Sequence, residues 1–128
     1  MANTYTIVLV DDDRFLLDLY AVKFKNAGHT VVAYQSAEEL LKALREGTKP
    51  DALLLDVIMP GMDGFEALET IRKENLIPKA KIVMLTNQGQ DSDIERAKKL
   101  EVAGYIVKAS AIPSEVLAQT TAIIERPA

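Results

Sequence analysis

Five short apolar runs constrain this chain most: Ile7 to Val10, Thr30 to Tyr34, Asp51 to Leu55, Lys81 to Leu85 and Gly104 to Val107. Each is rich in β-branched or aliphatic residues and short for a buried helix, and each is followed by a segment with apolar residues at helical spacing. Strands alternating with helices at roughly 20 to 30 residues call for a parallel sheet, right-handed crossovers and helices on both faces. We therefore expect an α/β fold, a doubly wound five-stranded sheet of (βα)5 order, with residues 1–128 as one domain. A hydrophobic fraction of 48% beside 27% charged residues supplies one core of that size.

The punctuation supports this division. Asp13 is placed to cap a first helix running to Ala27, with Leu16, Leu19, Tyr20 and Ala27 as its spaced apolar positions and Gly28 as its stop. Ser36-Ala37-Glu38-Glu39 is a capping-box pattern opening a helix that buries Ala37, Leu40, Leu41 and Leu44 and ends at Gly47. A third helix is expected from Asp63 to about Asn75, buried through Phe65, Leu68 and Ile71. After a polar loop, Asn87 to Gln90, a hydrophilic helix from Asp91 to Leu100 buries Ile94, Ala97 and Leu100. Pro113, acceptable in a first turn, opens the last helix to about Arg126.

Ligands of such sheets sit at the carboxyl ends of the strands. Those ends carry Asp11-Asp12, then Asp56, then Thr86, then Lys108. An isolated Asp there is commonly a turn former or a helix cap. A cluster is different, because neighbouring carboxylates raise one another's pKa unless positive charge stands among them. Lys108 is one such charge and a divalent cation the other: Mg²⁺ accepts one or two carboxylates, a carbonyl oxygen, waters and phosphate oxygens. The third protein oxygen is expected from a backbone carbonyl just after Asp56. The set suits phosphoryl transfer to Asp56, with the cation and Lys108 spreading the charge and Thr86 donating a hydrogen bond. The product, an acyl phosphate, is labile and suits a reversible signal.

A net charge of −4 and a pI near 5.0, with Lys and Arg scattered, argue against a nucleic-acid surface. Without Cys, disulfides and thiol chemistry are excluded. No basic leader opens the chain and no apolar run exceeds about five residues, so a soluble cytoplasmic protein without membrane insertion is expected. His29 is expected as a solvated surface histidine, so the phosphodonor should be another protein. With no output segment after Ala128, the target should be another protein too.

Val10-Asp11-Asp12-Asp13, Leu55-Asp56-Val57-Ile58-Met59-Pro60-Gly61-Met62-Asp63-Gly64, Leu85-Thr86 and Tyr105-Ile106-Val107-Lys108 together resemble the receiver domain of two-component response regulators, over essentially the whole chain. The resemblance implies a flavodoxin-like sheet of strand order 2-1-3-4-5. It implies Asp56 as phosphoacceptor from a histidine kinase or histidine phosphotransfer protein, and Mg²⁺ as cofactor. Asp12 would hold the ion directly and Asp11 through water, with Asp56 and the Ile58 carbonyl completing the ligands. Lys108 would contact the phosphoryl group, and Thr86 and Tyr105 would be the switch pair that alters the surface of helix 4, strand 5 and helix 5. The implied molecule is no conventional enzyme, although it assists its own phosphorylation and autodephosphorylation. It is a monomer or a phosphorylation-dependent dimer.

Three positions depart from the family pattern. Ala109 follows Lys108 where a cis proline is common, so the loop either carries a cis bond costing roughly 2.5–4 kcal/mol or takes a different trans shape. Its connection through Ser110, Ala111 and Ile112 also looks long. Asn87 replaces a small residue after Thr86, and Glu101 stands where glycine usually ends helix 4. Ile58 and Gln88 flank the path of an attacking water. Two rival readings remain: a binding module independent of phosphate, and a haloacid-dehalogenase-like phosphohydrolase using the Asp11-x-Asp13 pattern. The latter lacks a downstream acidic pair and the length for a substrate cap.

Overall fold

The computed structural model describes residues 3–86, 91–108 and 111–126. The described elements alternate strictly: β1 (Thr6–Val10), α1 (Arg14–Asn26), β2 (Thr30–Tyr34), α2 (Ala37–Arg45), β3 (Ala52–Asp56), α3 (Gly64–Lys73), β4 (Lys81–Thr86), α4 (Asp91–Lys99), β5 (Gly104–Val107) and α5 (Pro113–Glu125). The strands are parallel, in the order β2-β1-β3-β4-β5. This is the expected flavodoxin-like sheet.

Period-2 alternation divides the central strands between two cores. Val8, Val10, Leu53, Leu55, Ile82 and Met84 pack beneath α2, α3 and α4. Ile7, Leu9, Leu54, Val83, Leu85 and Ile106 pack against α1 and α5. With both faces covered, β3 is buried along its whole length. β2 is an edge strand and stays largely exposed.

Most caps fall where the sequence puts them. The Asp13 side chain accepts from Leu16 N–H, and Gly28 and Gly47 follow α1 and α2 with φ of 98° and 108°. At α2 Ser36 accepts from Glu39 N–H, but the reciprocal capping box forms at α3, between Asp63 and Glu66. The apolar face of α1 needs correcting. Leu17, Tyr20 and Phe24 are its buried positions, whereas Leu19 is exposed. Because α1 is apolar on two sides, spacing alone did not say which stripe faces the sheet. Among the described side chains of α4 only Ala97 is fully buried; Ile94, and Leu100 just beyond the helix, are half-buried.

His29 is also a correction. It is 7% exposed; its Nδ1 accepts from Tyr5 N–H at 3.1 Å, and its ring stacks on Tyr5 and meets Phe24 edge-on. Gly28 turns the chain into β2 there, and Tyr5 just before β1 closes over the imidazole.

Asn87, Gln88, Ala109 and the Lys108–Ala109 bond lie outside the described residues. Glu101 does adopt the left-handed backbone expected of a glycine, with φ of 60°. Two hydrogen bonds hold that turn: Arg72 of α3 donates from Nε to the Leu100 carbonyl and from a terminal nitrogen to the Glu101 carbonyl, each at 2.9 Å. Arg96 of α4 binds back to α3, 2.7 Å from Glu69 and stacked over the Phe65 ring at 4.6 Å.

Candidate functional site

The chain moves outward from β1 to β2 and then returns to β3 on the other side of β1, so the sheet's switch point lies between the ends of β1 and β3. Val10 pairs with Leu55, which brings the following residues, Asp11 and Asp56, level with each other. Asp11 is 1% exposed and Asp56 4%. Asp12, turned the other way, is open to solvent. Ligand oxygens from all three carboxylates lie within 4.8 Å of one another.

Lys108, just after β5, reaches across this rim. Its Nζ is 2.5 Å from Asp11 Oδ2 and 3.1 Å from Asp56 Oδ1, and its side chain is almost wholly enclosed. Burial alone would lower the ammonium's pKa, but the hydrogen bond it donates to Asp11 and the Asp56 charge overcome it and raise it. Lys108 therefore stays charged. Asp56 shows the opposing balance: burial first, then the Asp11 charge, push its carboxyl up to about 7 despite Lys108. Three carboxyl groups gathered around a single ammonium leave an excess of acidic groups, which a divalent cation would balance. The donor set, all oxygen and partly open at Asp12, suits a hard ion that keeps waters. Asp11, Asp12 and Asp56 would hold it.

The backbone after Asp56 is pinned on both sides. Val57 N–H donates to the Leu85 carbonyl at 2.9 Å, and the Val57 carbonyl accepts from Gly64 N–H at 2.8 Å. Gly64 opens α3 so close to this segment that a Cβ there would overlap the Asp56 carbonyl oxygen. Gly61, at φ 77°, takes the third position of the Pro60-Gly61 turn. The Ile58 side chain is 69% exposed at this mouth and offers nothing polar.

Thr86 ends β4 one residue beyond the Asp56 level and is 2% exposed. Tyr105 pairs with Met84 in β5 and packs against the α2/α3/α4 core; its hydroxyl is buried. Burial raises the phenol's pKa while the Thr86 side chain lowers it, so the two residues act on each other. Thus Asp11, Asp12, Asp56 and Lys108 form one cluster, with Thr86 and Tyr105 beside it along β4 and β5. Sequence reading missed Gly64, whose signal was a glycine directly before an apolar helix face, and Arg72 and Arg96, whose contacts cross between helices.

An acidic pocket at the switch point of a doubly wound sheet, crossed by a buried lysine, suits an α/β domain that holds a cation beside a phosphoryl group. The chain belongs to the response regulator receiver domain family, whose profile matches residues 7–120. It is 34% identical over 103 residues to the transcriptional regulatory protein AfsQ1 of Streptomyces coelicolor, covering 80% of this chain and 44% of that protein. It is 32% identical over 120 residues to the alkaline phosphatase synthesis transcriptional regulatory protein PhoP of Bacillus subtilis, covering 94% and 48%. The chain thus spans about half the length of these curated relatives. A crystal structure of a LuxR-family two-component response regulator from Aurantimonas sp. superimposes with a TM-score of 0.82 at 31% identity, covering 95% of this chain and 86% of that one. Receiver domains bind Mg²⁺ in an acidic pocket and interact with histidine kinases and downstream effectors. Among the described residues no helix is long and apolar enough to cross a membrane. Asp13 caps α1, its Oδ1 accepting from Leu16 N–H, and the acidic cluster among the described residues is Asp11, Asp12 and Asp56.

Proposed function

We propose that this chain is a phosphoacceptor switch: Asp56 takes a phosphoryl group from a phosphohistidine on a histidine kinase or phosphotransfer protein. The observation that carries the reading is the Asp11–Lys108–Asp56 bridge, a buried nucleophile beside a lysine that stays charged. Asp11, Asp12, Asp56 and the Ile58 carbonyl would hold Mg²⁺, which neutralises the incoming phosphoryl oxygens when bound. Lys108 binds one of those oxygens and Thr86 donates to another. An Asp56 oxygen attacks phosphorus as the bond to the donor nitrogen breaks, and that nitrogen regains its proton. Hydrolysis of the acyl phosphate resets the switch, slowly, because Ile58 cannot orient a water.

The donor also needs a place to dock. Phe15, 72% exposed, lines a groove with Leu19, Val22 and Ile112, starting where α1 and α5 leave the acceptor rim. Exposed apolar area of this kind marks an interaction surface. On this reading the output is protein binding by the α4–β5–α5 surface of a cytoplasmic regulator, as a monomer or a dimer formed on phosphorylation.

Phosphotransfer from a ³²P-labelled phosphohistidine domain tests the proposal. Label should move to this chain and disappear with Asp56→Ala; rapid release of inorganic phosphate without a labelled chain would instead indicate a hydrolase. No transfer at all would leave a phosphate-independent binding module.

A further inference from the structure

The pocket's charged side chains stand over one face of the sheet. Alternation puts Ile7 and Leu9 of β1, and Ala52 and Leu54 of β3, in the core shared with α1 and α5. Two residues further on, Asp11 and Asp56 fall on that same face. The ladder does run on that far, since Asp11 N–H still donates to the Tyr34 carbonyl at 3.2 Å. Lys108 follows Ile106 of the same core by two and meets both carboxylates there. Tyr20 of α1 is a polar member of this layer, 2% exposed in the cluster that holds Leu85, Ile106 and Val116. α1 begins at the rim, where Asp13, its cap, donates its N–H to Asp11 Oδ1 at 2.9 Å. Helix side chains lean toward the N-terminus, so a tyrosine about two turns in directs its tip back at the rim. The buried Thr120 hydroxyl of α5 is spent on the Val116 carbonyl at 2.7 Å.

An ammonium carries three N–H donors. Asp11 and Asp56 take two from Lys108, whose side chain is enclosed, so the third needs a partner within the pocket. We propose that Tyr20 is a positioning residue for Lys108: its hydroxyl, beneath the ammonium on the α1/α5 side, accepts the remaining donor directly or through one water. This rests on the phosphoacceptor reading and adds a residue to it. The charges of the pocket do reach the phenol. Burial raises its pKa, so the hydroxyl keeps its proton and stays neutral; Lys108 pulls the other way, and Asp11 and Asp56 add to the rise. Neutrality suits the task. On arrival of a phosphoryl group the ammonium exchanges a carboxylate contact for a phosphoryl oxygen. An acceptor that stays in place through that exchange, without a charge to compete for the lysine, keeps Nζ over Asp56.

Tyr20→Phe keeps the ring and removes only the hydroxyl, and two measurements on the intact chain read the result. The first is NMR of the unphosphorylated protein with ¹³C-labelled lysine, the Lys108 signal being assigned by its loss in Lys108→Met. The two ε protons of Lys108 differ in shift only while the arm is held, so in Tyr20→Phe their separation should shrink, with the other lysines unchanged. An unaltered separation would overturn the proposal, whether or not Asp56 accepts phosphate. The second is the rate of phosphorylation by a small acyl phosphate at saturating Mg²⁺. It should fall about tenfold in Tyr20→Phe, as loss of a hydrogen bond to a charged group does, with Mg²⁺ affinity unchanged. In a Lys108→Met background the same substitution should have no further effect. A parental rate in Tyr20→Phe, or equal slowing in both backgrounds, would overturn the positioning role. A parent chain that gains no phosphoryl group would instead sink the phosphoacceptor reading, and the NMR result would still decide the Tyr20 contact.

Discussion

At the scale of single residues, Asp56 carries a stored electrostatic cost. Its carboxyl is raised to about 7, chiefly by burial and then by Asp11, from an ordinary value of 3.8. Between those values the folded chain holds a proton that the unfolded chain has released, so stability is full below about pH 4 and declines as pH rises through 7. Asp56→Asn removes the dependence. In urea denaturation without Mg²⁺ the variant should exceed the parent by on the order of 2–4 kcal/mol above pH 7 and match it near pH 4. Added Mg²⁺ should narrow the gap, because the ion stabilises the ionised form. Gly64 is a second such residue. Gly64→Ala must push the Asp56 backbone aside, which should cost roughly 2 kcal/mol of stability. It should also weaken Mg²⁺ binding by calorimetry, a loss that a defect remote from the pocket would not produce.

At the scale of elements, α3 and α4 behave as a coupled pair. Arg72 and Arg96 reach between them, and Glu101 closes α4 in a left-handed conformation that costs about 1–2 kcal/mol for a residue with a Cβ. Glu101→Gly relieves this cost but enlarges the unfolded ensemble, so a net gain of about 0.5–1 kcal/mol is expected in thermal or urea unfolding. A loss of stability would mean that the Glu101 side chain itself holds the turn. The strain was legible in advance, since a non-glycine stood where the helix had to stop. The arginine clamp was not, because nothing in a one-dimensional pattern shows which carbonyls an arginine on another helix will meet.

For the whole molecule, periodicity and turn residues were enough to give the elements and their parallel pairing, and the positions of Asp11, Asp56, Thr86 and Lys108 at strand ends marked the candidate site, where the structure gathers Asp11, Asp56 and Lys108. The spatial order of the strands came from likeness to the family rather than from spacing. What stayed hidden depended on packing between distant segments. His29 looked like a surface residue because Tyr5, which covers it, lies 24 positions away. The α1 stripe was misassigned because Phe15, Leu19 and Val22 form a second apolar face left uncovered by the fold. That face carries a prediction of its own. Phe15→Asp should slow phosphorylation by a protein donor about tenfold or more, as loss of a central apolar anchor does, while leaving phosphorylation by a small acyl phosphate unchanged. Equal slowing with both donors would place the defect in the pocket and remove the groove from donor docking.

The central claim is that Asp56 is a nucleophile served by Mg²⁺ and Lys108. Intact-mass measurement after incubation with Mg²⁺ and a small acyl-phosphate donor tests it most directly. A gain of one phosphoryl group that requires the cation and is absent in Asp56→Ala is expected. A chain that gains no mass, or gains it equally in Asp56→Ala, would contradict it.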